Sequence, residues 1–176
     1  MKKSTLAKLA AVTLLTIASI SHASEATLTS RYTGGDYTTA TYSFRFMSQD
    51  INVTKNNVEI LFEGRADFEK DYFVVNTVVD DNNLIYDLGE KSCADISSSY
   101  PAFRQSRPLV WLGYSEASPL NKIGTKTAPV TVGHCYLAYN NDESGRVVTL
   151  FHVASAEKNK SVTINEIEVL NSLTSN

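Results

Sequence analysis

Cysteine is scarce in this chain: Cys93 and Cys135 are the only two in 176 residues. They stand some forty residues apart, which excludes a CxxC redox pair, and neither lies near the N-terminal leader, which excludes a lipoprotein anchor. Beyond residue 23 no apolar run approaches the roughly 20 residues of a helical membrane span. Basic runs are absent too, and the chain carries 16 Lys and Arg against 19 Asp and Glu. Nucleic acid and anionic membrane surfaces are therefore excluded as partners, because phosphate binding needs clustered cations. No segment shows helical periodicity, and there is no internal repeat, low-complexity tract or linker.

What is present begins with a leader. Met1 to Ala23 has the form of a secretory signal: Lys2, Lys3 and Lys8 supply the positive region, "LAAVTLLTIASI" the short apolar core, and "SHA" the small residues before cleavage. The remaining chain, Ser24 to Asn176, is long enough for one domain with its own core. The formal net charge of −3 becomes three units more negative once the leader lysines leave. The expected location is secreted or periplasmic. An oxidising compartment makes a Cys93–Cys135 disulfide the expected state, constraining the unfolded chain by about 4 kcal/mol in the entropy model.

Strand signals fill most of the chain. "ATYSFRFM" (Ala40 to Met47) and "NVEILFEG" (Asn57 to Gly64) alternate. "DYFVVNTVV" (Asp71 to Val79), a turn "DDNN", and "LIYDLG" (Leu84 to Gly89) read as a hairpin. "LVWLGY" (Leu109 to Tyr114) is a short apolar strand. "APVTVGHCYLAY", "RVVTLFHVAS" and "SVTINEIEVL" read as a closing meander, with a bulge near Asn165–Glu166 where the apolar alternation slips. About eight to ten short strands with regular turns predict an all-β fold, a single-domain antiparallel β-sandwich or small barrel. Two stretches rich in Pro, Ser, Lys and Thr, Ser97 to Pro108 and Ser115 to Pro129, are predicted to be long loops flanking the Trp111 strand.

The succession "IYDLG", "GHCY", "LFHV" and "SVTI" resembles a β-rich module of secreted bacterial proteins, built on a DLG strand end, a GHxY strand, an FxV strand and a VTI strand. The resemblance covers about the last hundred residues, spans short motifs, and implies the fold but no activity.

Chemistry-bearing residues are few. A five-residue loop Asn141 to Gly145 would set His134 directly opposite His152, on one face of a hairpin with Cβ atoms about 4.5–5.5 Å apart. Such a pair is the outside candidate for a metal site, with Glu166 or Glu168 as conceivable further ligands. The bland alternative is two histidines packed in a hairpin, which the sequence favours. "NNDESG" and "DDNN" carry oxygen ligands but lack the spacing of a calcium loop. "GYSEA" (Gly113 to Ala117) imitates a nucleophile elbow, yet Pro119, Gly124 and Pro129 forbid the helix that must follow.

Binding residues are expected on the long loops. Tyr100, Arg104, Arg107, Trp111 and Tyr114 give that region aromatic edges and the most basic character in the chain. Tyr32, Tyr37 and Tyr42 near the mature N-terminus, like Tyr100, Phe103, Trp111 and Tyr114 at the long loops, could stack on sugar rings, but filling the core or bracing loops is the favoured role for any one of them. The sequence thus predicts an exported, non-catalytic binding or structural module without a cofactor, taking a protein or carbohydrate ligand. A small secreted hydrolase or metal-dependent enzyme using the His134/His152 face is the alternative.

Overall fold

The computed structural model describes residues 25–49, 58–76, 83–99, 124–142 and 145–174. The leader, the Leu109 to Tyr114 strand and the "GYSEA" stretch lie outside them. Two antiparallel sheets face each other. The first elements are β1 (Ala26–Thr29), the single-turn α1 (Tyr37–Ala40), β2 (Thr41–Tyr42), β3 (Ile60–Glu63), β4 (Tyr72–Val75), β5 (Leu84–Gly89) and α2 (Cys93–Ser99). They are followed by β6 (Thr127–Pro129), β7 (Cys135–Asp142), β8 (Gly145–Glu157) and β9 (Ser161–Thr174). One sheet has the order β1-β9-β8-β7-β5 and the other β2-β3-β4-β6. This is the sandwich alternative of the predicted fold class, not the closed barrel.

The space between the sheets is filled by alternate residues of each strand. Ile60 and Phe62 from β3, Phe73 and Val75 from β4, and Tyr136, Phe151, Val153, Val162 and Ile164 from the larger sheet are all buried there. Each large side chain so buried contributes roughly 1.5–3 kcal/mol. The centre is aromatic: Tyr136 stacks on Phe151 at 5.4 Å, and Phe73 meets both rings edge-on at 5.3 Å. β7 and β8 are also buried on their other face, where Tyr86, Cys93, Ile96, Cys135, Leu137 and Leu150 form a second cluster. Burial on both faces explains why "CYLAY" and "VVTLF" read as continuous apolar runs. The Cys93–Cys135 disulfide fixes α2 to this outer face, with Cα atoms 5.5 Å apart.

Several expectations are corrected. β4 and β5 are not a hairpin: β4 pairs with β3 and β6, whereas β5 pairs with β7 in the other sheet. β6 leaves the closing meander for the same reason, so the meander is β7-β8-β9. "ATYSFRFM" supplies only two strand residues before the chain folds into a tight turn closed by the Ser43–Ser48 bridge. Glu59 causes this, since its buried carboxylate accepts from the Phe44 N–H at 2.8 Å and captures the backbone that a longer strand would have paired. Ser97, the predicted start of one long loop, lies in a helix that runs to Ser99, and Pro129, the predicted end of the other, lies in β6. Both elements are shorter than two turns or four residues, too short to leave a periodic signature. The bulge near Asn165–Glu166 is present: the β8–β9 register slips between Leu150 and His152, and Glu166 has φ 49°.

Candidate ligand-binding cleft

Two loops at one end of the four-stranded sheet rise beside its solvent-facing surface. The floor is given by the outward positions of three strands, Glu63 on β3, Tyr72 and Val74 on β4, and Thr127 on β6. Cross-strand pairing sets Glu63 opposite Tyr72 and Val74 opposite Thr127, so these side chains emerge together on one face. The β3–β4 connection adds Arg65, Asp67, Phe68 and Glu69, and the loop after β1 adds Arg31 and Tyr32. Together they enclose an open cleft of about 580 Å³, inside the ~300–1,000 Å³ range of small-molecule sites.

Its wall is a ladder of rings and guanidinium groups. Arg31 lies 4.3 Å from the Tyr37 ring and 4.6 Å from the Tyr32 ring. Arg65 lies 5.2 Å from the Tyr32 ring and 4.5 Å from the Phe68 ring. Phe68 then meets Tyr72 edge-on at 6.0 Å. The sequence of partners is Tyr37, Arg31, Tyr32, Arg65, Phe68, Tyr72. Each cation–ring contact at such an exposed site contributes about 0.5–1 kcal/mol. These contacts engage Tyr32 and Tyr37 while the two side chains remain 46% and 50% exposed.

Both guanidinium groups are also paired with carboxylates. Arg31 donates to Glu63 at 2.7 Å and to the Tyr32 hydroxyl. Arg65 grips Asp67 through two bonds, at 2.9 and 2.6 Å. That hydrogen-bonded pair holds the Asp67 carboxyl below its ordinary range and pushes the Arg65 guanidinium up. Asp67 is therefore a fixed anion at neutral pH rather than a proton donor.

Buried polar ties set the loops. The Ser30 hydroxyl donates to the Gly64 carbonyl at 2.5 Å and accepts from the Tyr32 N–H at 3.2 Å. Asp71 accepts from the Asn159 N–H at 2.8 Å. Asn159 sits in the left-handed region, φ 63°, at the β8–β9 turn, a conformation asparagine tolerates. Its side-chain nitrogen, oriented to satisfy both neighbours, donates to the Arg65 carbonyl and to Asp71. Gly64 is required by close approach: a Cβ there would stand 2.9 Å from the Phe62 ring and 3.1 Å from the Asn159 backbone. Three chain segments far apart in sequence are thus knitted under the cleft.

The residues singled out from sequence are distributed differently. Tyr100, Arg104, Arg107, Trp111 and Tyr114 lie outside the described residues. Tyr32 and Tyr37 belong to the ladder, but Tyr42 is buried in the core. The pairing of His134 with His152 is corrected. The β7–β8 ladder continues through Asn141 and Asp142 to the Asp142–Gly145 pair, leaving two residues between the strands, and Cys135 stands opposite His152. A one-residue slip turns every side chain to the other face. The observed register is the one that stacks Tyr136 on Phe151 inside and places Cys135 and Leu150 outside. His134 consequently shares the inner face and bonds Asp87 at 2.8 Å, while His152 bonds Asn165 at 2.9 Å on the outer face. They cannot ligate one ion. Glu168 accepts from the Ser97 hydroxyl at 2.8 Å.

Arg31, Arg65, Phe68 and Tyr72 went unrecognised in the sequence. "SRYTGGDY" and "GRADFEKDY" each combine arginine, aromatic and acid, which is the only local signal. Comparison with protein-family models, with curated proteins and with solved structures finds no match to this chain.

Proposed function

We propose that this chain is an exported, non-catalytic binding module whose ligand occupies the cleft on the four-stranded sheet. The observation that carries this reading is the ring and guanidinium ladder. Tyr32, Phe68 and Tyr72 line a concavity of small-molecule size, with Tyr32 nearly half exposed beside the two arginines. The buried ties of Ser30, Asp71 and Asn159 support it, because a site held in place loses less entropy when it binds. The acids favour binding over catalysis. Glu63 and Asp67 are each engaged by a guanidinium, and the Asp67 carboxyl is held below its ordinary range by Arg65, so Asp67 is not poised as a general acid.

Export is supported by the leader-like N-terminus and by the disulfide, which persists in oxidising compartments. Among the described residues no helix is long and apolar enough to cross a membrane. The resemblance to a module of secreted bacterial proteins agrees with this location.

Saturation-transfer measurements on the full chain against a library of ring-bearing fragments and oligosaccharides test the reading. Compounds that bind should lose their signal with the Tyr32→Ala/Tyr72→Ala double variant, compared at a temperature where melting curves show both proteins folded. Compounds that bind parent and variant equally would place the ligand site elsewhere.

A further inference from the structure

Resting on the reading of the cleft as the ligand site, we infer that its ligand is an uncharged carbohydrate, held by a ring face and by neighbouring hydroxyls. Charge decides between ligand classes. The cleft contributes two cations, Arg31 and Arg65, and three anions, Glu63, Asp67 and Glu69. Both cations are already neutralised by carboxylates within hydrogen-bonding distance. An anionic ligand that took the remaining Arg65 donors would leave the Arg65–Asp67 pair intact but would face the three carboxylates at close range. A cationic ligand would compete with Arg31 for Glu63 and with Arg65 for Asp67, and would find only Glu69 outside those two pairs.

A polyol meets neither obstacle. A guanidinium has five N–H donors and a carboxylate about four acceptor positions. The Arg65–Asp67 pair uses two of each, leaving donors and acceptors side by side at the cleft surface. Adjacent hydroxyls can accept from one and donate to the other while the ion pair stays intact. Tyr32 and Tyr72 supply the other half of sugar recognition, since the C–H face of a pyranose packs on the electron-rich face of an aromatic ring. Apolar but ring-shaped ligands without hydroxyls would bury the paired charges and leave their remaining hydrogen bonds unmet.

Isothermal titration of the full chain tests this with defined probes. Neutral hexasaccharides of glucose (β-1,4 and α-1,4), mannose and N-acetylglucosamine form one arm. Oligogalacturonate is the anionic arm and oligoglucosamine the cationic arm. At least one neutral probe should bind, and about tenfold or more tighter than either charged probe. Tyr32→Ala should weaken it by about tenfold, as for a central aromatic anchor, and Arg65→Lys should weaken it as well, since an ammonium cannot keep the two-bond pair. Tyr32→Phe, which retains the ring, should bind more tightly than Tyr32→Ala. Preferred binding of a charged probe, abolished by Tyr32→Ala, would overturn the uncharged class while leaving the cleft as the site. If no saccharide binds while ring-bearing fragments still bind in a Tyr32- and Tyr72-dependent way, the carbohydrate inference fails alone. If neither saccharides nor fragments bind at the cleft, both fail.

Discussion

Tyr136 shows how one side chain ties the core to the loops. Its ring is buried among Phe73 and Phe151, while its hydroxyl donates to the Pro129 carbonyl at 2.7 Å and accepts from the Thr131 N–H at 2.9 Å. Tyr136→Phe keeps the ring and strands both backbone groups, so chemical denaturation should show a loss of about 1–3 kcal/mol. Burial also pushes the Tyr136 hydroxyl up to about 12. A folded-state value above the unfolded one favours the protonated, folded form. The associated stability is therefore complete below pH 10 and declines as pH rises toward 12. Alkaline melting curves should show this decline in the parent and a shallower one in Tyr136→Phe. Thr149 makes the opposite case: its buried hydroxyl has no hydrogen-bond partner among the described residues. Thr149→Val removes an unmet polar group at nearly equal volume, and its denaturation midpoint should be unchanged or raised. A marked drop would mean that the hydroxyl is engaged after all.

Among the elements, the β3–β4 connection and the β8–β9 turn matter most, because each holds the other. Gly64→Ala should force the Phe62 ring or the Asn159 backbone aside, costing about 1–3 kcal/mol as an overpacking change and loosening Arg65 and Phe68. The check is paired: a lower melting temperature together with weaker binding at the cleft, where a purely local effect would lower only the first. Elements with alternating patterns were legible from sequence alone: "LIYDLG" is β5 and "SVTINEIEVL" carries β9 with its bulge. Pairing was less legible, since alternation states which face is buried but not which strand lies alongside. "DYFVV" and "LIYDLG" look like a hairpin in one dimension and belong to different sheets in three. The His134–His152 expectation failed on a single register step. The ladder at the cleft was half visible, in Tyr32 and Tyr37. Its other half comes from a loop that only the fold brings near, and a contact between Arg65 and Tyr32 has no one-dimensional trace.

For the whole molecule, the disulfide and the cleft occupy opposite sides of the sandwich. Cys93–Cys135 pins α2 to the outer face of the five-stranded sheet, whereas the cleft lies on the outer face of the four-stranded one. Cys135→Ala should therefore lower global stability by a few kcal/mol, the usual ~2–5 kcal/mol loss of a native bridge, and leave ligand affinity nearly unchanged at temperatures where the variant is folded. Parallel loss of affinity in the folded variant would mean that the two faces are coupled. If the cleft binds as proposed, the Asp67 pairing should give that binding an acid limit. With a folded-state value below the unfolded one, the Arg65–Asp67 pair persists above the ordinary carboxylate range and opens as pH falls through the depressed value. The most direct measurement of the central claim is amide chemical-shift mapping of the full chain during titration with a neutral hexasaccharide that binds. Saturable shifts should be confined to the segments around Arg31–Tyr32, Glu63–Tyr72, Val74 and Thr127. Shifts centred instead on the outer face of the five-stranded sheet, around α2, Leu137 and Leu150, would contradict it.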